Sequence, residues 1–164
     1  MPRTKAFAAR INARLTEAVQ PPTKSDPVVA AALFSHATHN EGGATLNLST
    51  NRLINPGTEA YMVGGERNTM GERIPTQMLN SVPPLSALQM MEHVRKETGG
   101  AKGASVGSWK NPKTGEFELD ASRSYPDQKW AMSTANARNE AAIFDMKNLK
   151  DISNPNFDPE KPQV

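Results

Sequence analysis

The sequence predicts an α+β domain, and three observations carry that expectation. Apolar and polar side chains alternate with a period of two from Glu116 to Asp120, as in a half-buried strand, whereas Ala87, Leu88, Met91 and Val94 recur at helical spacing. Glycine and proline pairs, such as Gly64-Gly65, Pro83-Pro84 and Gly99-Gly100, punctuate these stretches. From Ala104 to Met146 a strand, a turn, a second strand, a short helix and a third strand can be read in order. The expected architecture is a small antiparallel sheet of two hairpins plus a further strand, packed with two helices and preceded by an N-terminal helix.

With 164 residues the chain fits one domain with a single core. A hydrophobic fraction of 37% and 13 prolines predict a modest core with substantial loops and tails. The expected organisation is a basic helix and linker over 1–27, one α+β domain over 28–152 and a proline-rich tail over 153–164. Without cysteine there is no disulfide, thiolate nucleophile or sulfur-based zinc site. No apolar run is long enough to span a membrane, and the basic start lacks the apolar stretch of a signal peptide, so cytoplasmic placement is expected. No cofactor and no metal are expected.

Along residues 4–19, Phe7, Ile11, Leu15 and Ala18 mark an amphipathic helix that ends before Pro21 and Pro22. Arg3, Lys5, Arg10 and Arg14 make this end a basic arm suited to phosphates or an acidic protein surface, or else a solvated helix face. Residues 28–34 form an apolar run too brief to assign by period. His36, His39 and Glu41 follow. A His-x-x-His pair with a nearby carboxylate can start a metal site, but Gly42 and Gly43 suggest that the segment leaves regular structure, and spacing fixes no further ligand.

Residues 44–48 and 59–63 read as two strands joined by a long Asn/Pro/Gly-rich loop, together a hairpin. The aperiodic segment beyond Gly65 reads as an exposed loop in which Glu66, Arg67, Glu72 and Arg73 are free to find partners. Residues 81–98 give the clearest helix, with Ser81 as its cap, an apolar stripe of Ala87, Leu88, Met90, Met91 and Val94, and a glycine stop. His93 lies on its polar side and reads as a surface residue.

In the 104–146 stretch, Asn111 to Gly115 supply a turn, and Phe117 and Leu119 face inward from the returning strand. Tyr125, Pro126 and Asp127 open a short helix whose inner face is read as Trp130, Ala131, Thr134 and Ala135. Asn139 ends it, and a buried strand follows to Asp145. The final residues read as irregular or disordered.

The order of GGATLNLSTNRLINPGTEAYMVGG, GSWKNPKTGEFELDASRSYPD and AIFD resembles a small α+β module that recurs in bacteriophage and other mobile-element proteins, often within large polyvalent proteins. The likeness covers about residues 41–152. It implies an α+β fold and a phage or mobile-element setting, without supplying catalytic residues. The first hairpin loop is longer than in that pattern and lacks its Thr-Gly turn.

Three functions follow as expectations. The first is a non-catalytic accessory protein, in the host cytoplasm or associated with the virion, that binds a host or phage protein through its loops and tails, with Arg67 and Arg73 beside the basic arm. The second is a small phosphate- or nucleic-acid-directed enzyme using His36, His39, Glu41 and Arg123. The third is sequence-independent nucleic-acid binding through the basic arm, for which no aromatic stacking platform accompanies the cations. Arg123 and Asp145 have simpler readings as an ion-pair partner and a turn cap.

Overall fold

The computed structural model describes residues 25–164; the expected N-terminal helix and Arg3, Lys5, Arg10 and Arg14 lie outside them. The described residues form three helices, α1 (Pro27–Glu41), α2 (Pro84–Glu97) and α3 (Gln128–Arg138). Eight strands accompany them: β1 (Gly43–Asn47), β2 (Arg52–Leu53), β3 (Tyr61–Val63), β4 (Gln77–Leu79), β5 (Ala104–Lys110), β6 (Phe117–Tyr125), β7 (Ala142–Asp145) and β8 (Lys150–Ser153). They make the expected α+β fold, with all strands in one antiparallel sheet of order β2-β1-β5-β6-β3-β7-β8, to which β4 adds beside β6.

The long strand β6 organises the sheet. Its alternation sends Phe117, Leu119 and Ala121 to one face, where they pack with Phe34 of α1 and Met90, Met91 and Val94 of α2. Each such fully buried side chain stabilises the fold by about 1.5–3 kcal/mol. Tyr125 continues the same face and joins Val63, Ile143, Ala131 and Ala135, so α3 lies on the side already covered by α1 and α2. The opposite face, bearing Glu118, Asp120 and Ser122, has no helix over it among the described residues.

One flank of β6 is paired by β5 over its first seven residues, from Lys110 opposite Phe117 to Ala104 opposite Arg123. The other flank is shared: β4 pairs with Phe117–Leu119 and β3 with Arg123–Tyr125. Between them Glu66 N–H donates to the Ala121 carbonyl at 3.1 Å, and Ile74 N–H donates to the Glu66 carbonyl at 2.9 Å. Thus β3 and β4 follow one line along β6, interrupted by an excursion closed by an Arg67–Arg73 bridge.

Several expectations are corrected. Strands β1 and β3 do not form a hairpin. β1 turns back at once onto β2, with Leu46 opposite Leu53, because Asn51 adopts a positive φ of 52° and its amide donates to the Ser25 carbonyl. The undecided apolar run belongs to α1, which continues through both histidines. Asp26 accepts from Val28 N–H at 2.8 Å to cap its start, and Gly42, at φ 81°, closes its end.

Helix α2 starts at Pro84, not at a Ser81 cap, because a residue before proline is held extended, as Pro83 is at ψ 158°. Trp130 is 61% exposed and rests against Tyr125, since the inner face of α3 is set by Ala131, Ala135 and Arg138. The final residues are irregular, as expected, and hydrogen bonds hold them to the domain. After β8, Asn139, itself at a positive φ of 53°, donates through its amide to the carbonyls of Asp158 and Lys161.

Candidate functional site

Among the described residues, the sheet face without a helix over it forms an open groove of about 1020 Å³. Its floor comes from β5, β6 and the Gly64-Gly65 step that follows β3, where glycine lets the chain approach closely. A Cβ at Gly107 would collide with the Asp120 Oδ1 atom, and one at Gly43 would come within 2.7 Å of the Ser108 carbonyl oxygen. A Cβ at Gly64 would lie 3.6 Å from Asp120 Oδ2 and 3.9 Å from Glu140 Oε2, so these two carboxylates converge on one point above the Gly64 backbone.

The electrostatics of the groove are one-sided. Among the described residues, Glu41, Glu118, Asp120, Glu140 and Asp151 line it with a single cation, Arg73. Arg73 reaches in from the excursion and pairs with Glu140 Oε1 at 2.5 Å. The half-buried Asp120 accepts no hydrogen bond from another side chain among the described residues. Loss of hydration pushes its carboxyl above the ordinary value, against the pull of its own backbone N–H and of Arg73, while Glu118 and Glu140 push the same way as burial. Two residues along β6, Ser122 is 4% exposed and its Oγ has no hydrogen-bond partner among the described residues. Trp109, half-exposed, stands opposite Glu118 on the β5 wall, while Met62, Phe144 and Met146 make an apolar end.

The predicted site residues are distributed differently. His39 is fixed within the fold: Nδ1 donates to the Ser35 carbonyl at 2.8 Å, Nε2 accepts from Val82 N–H at 3.2 Å, and the ring meets Phe117 edge-on. His36 lies at the helix surface, where the Asn40 amide reaches its ring at 2.8 Å. Glu41 ends α1 at the rim of the groove. Arg123 is on the helix-covered face, donating through Nε to Glu66 Oε2 at 2.5 Å. The structure therefore does not bring His36, His39, Glu41 and Arg123 together. No group of three or more His, Asp or Glu side chains is arranged to hold a metal among the described residues.

Glu66 was expected in an exposed loop, yet it is 1% exposed. Arg123 and Arg138 converge on it, the latter at 2.9 Å, because the excursion begins by adding to the β6 ladder and so turns this side chain under α3. Arg67 begins the same excursion; its backbone N–H donates to Glu66 Oε1, while its own Nε is buried without a partner. Asp145 caps the β7–β8 turn. The Asn148 amide and the backbone N–H groups of residues 147 and 148 hold its carboxylate below the ordinary value.

Sequence reasoning missed Asp120, Ser122, Glu140 and Trp109 as a group. The available signal was the polar phase of the β6 alternation, Glu118, Asp120, Ser122, together with the glycines on either side of it.

Comparison with known proteins finds no match to a family model, to a curated protein or to a solved structure. No helix among the described residues is long and apolar enough to cross a membrane.

Proposed function

We propose that this chain is a non-catalytic binding protein that receives a basic segment of a host or virion protein along the uncovered face of its sheet. The observation that carries the reading is the groove lined by five carboxylates and one arginine, with Trp109 on its wall. Charge complementarity of this kind steers an encounter and rejects like-charged partners. A phosphate backbone is repelled from the same surface. The five basic residues and one acidic residue of the first 24 leave 14 basic and 16 acidic side chains in the rest of the chain, so the domain is slightly acidic although the whole chain is at +2. The phage or mobile-element setting rests on the motif order in the sequence, and cytoplasmic or virion location belongs to the same proposal.

The reading is tested with a single-tryptophan variant, Trp130→Phe, in which Trp109 reports on the groove. A twelve-residue Lys/Ala peptide is expected to change Trp109 emission saturably, with affinity falling as salt rises. A Glu/Ala peptide of equal length should have no effect, and Glu118→Gln with Asp151→Asn should weaken the Lys/Ala peptide by about tenfold or more. Equal response to both peptides, or an affinity untouched by the double substitution, overturns the proposal.

A further inference from the structure

We propose that the floor of the groove between Asp120, Ser122 and Glu140 is a subsite for a single primary ammonium group, such as the head of a lysine side chain. The inference rests on the binding reading above and names the chemistry that its deepest point recognises. Three features converge on it. Ser122 lines the same groove, and its hydroxyl is buried and unpartnered among the described residues, a costly arrangement unless a ligand or water meets it. Asp120 and Glu140 present Oδ2 and Oε2 to the same point above Gly64. The absence of side chains at Gly64 and Gly107 keeps that point open and lets the Asp120 carboxylate lie across β5.

An ammonium group suits this geometry better than a planar guanidinium. It is a compact charge with three donors, and three acceptors stand around the floor: a carboxylate oxygen of Asp120, the Ser122 hydroxyl and Glu140 Oε2. The other Glu140 oxygen is already taken by Arg73, the protein's own guanidinium, and the Gln163 amide approaches Oε2 only at 3.4 Å. The charged groups facing Asp120 are Arg73 from the excursion, Glu118 on its own strand and Glu140 beyond α3. A cation placed among them favours the ionised form of Asp120, so binding lowers the Asp120 titration midpoint and weakens as pH falls through it.

The experiment uses the full chain and the blocked pentapeptide Gly-Gly-Lys-Gly-Gly, with the same peptide carrying Nε-acetyl-lysine or arginine as comparisons. Carboxyl-carbon NMR follows the titration of Asp120. The lysine peptide is expected to lower the Asp120 titration midpoint, the acetylated peptide to leave it unmoved, and the arginine peptide to bind at least threefold more weakly. Ser122→Ala should weaken lysine-peptide binding by about fivefold, the usual size of one lost hydrogen bond, with the fold intact by circular dichroism. Asp120→Asn should remove the pH dependence of binding. An Asp120 titration unchanged by the lysine peptide, or equal binding of the acetylated peptide, overturns the subsite. If the long Lys/Ala peptide still binds in that case, the groove reading stands without the subsite. If only the pentapeptide binds, the subsite stands and the groove reading falls.

Discussion

Glu66 and Asp120 are carboxylates on opposite faces of the same sheet, and their surroundings are opposite in kind. Glu66 is sealed beneath α3 with two arginines and a backbone N–H, so each oxygen has a charged or polar partner. Asp120 faces open space beside two further acids and an unpartnered hydroxyl, and burial raises its affinity for a proton. The contrast separates a carboxylate used to hold the fold from one left unmatched where the fold offers a surface. Full pairing closes a buried charge off from other chemistry, whereas incomplete pairing leaves it available.

The largest expected effect lies on the sealed side. Glu66→Ala strands Arg123 and Arg138 beneath α3 and should cost about 3–5 kcal/mol in chemical denaturation; a loss below 1 kcal/mol would mean that Glu66 is not the keystone of that face. On the open side, Gly107→Ala drives a methyl group into the Asp120 carboxylate and should cost about 1–2 kcal/mol. Combined with Asp120→Ala, the same substitution should cost markedly less, because the colliding group is gone.

Asp120→Asn should act in the opposite direction. A carboxyl whose folded titration point is raised binds its proton more tightly in the folded state, so the wild type loses stability as pH climbs from the unfolded value through the folded one. The asparagine variant lacks that loss. Its melting temperature should exceed that of the wild type at neutral pH, with the gap closing toward acid. The smallest effect is on titration alone: Arg73→Gln removes the one cation among the described residues that acts on Asp120 and should raise its midpoint further, as read by carboxyl-carbon NMR.

The covered side of the molecule was the more legible in sequence. The stripe Ala87, Met90, Met91, Val94 and the alternation Phe117, Leu119 name their own core because burial imposes a period on apolar residues. Pairing between distant strands leaves no such mark. Nothing in the text of residues 59–63 says that they join β6 and β7 rather than β1, since that choice depends on contacts made far along the chain. The candidate site was hidden for a related reason: Asp120, Glu140 and Gly64 are neighbours only after β6, the segment following α3 and the residues just past β3 are assembled. Glu66 was misread because loop composition describes the segment around it and not the ladder position from which it points.

The excursion between Glu66 and Ile74 carries a consequence for how such a chain can change. Because it leaves β6 and returns to the same place, closed by the hydrogen bond from Ile74 to Glu66, its length is independent of the register on either side. Its tip at Met70 and Gly71 is exposed. Residues can be gained or lost there while the sheet keeps its pairing. Arg73 stands on the returning limb of that loop, beside the acids of the groove, so a change of loop length retunes the charge of the groove without rebuilding the fold beneath it.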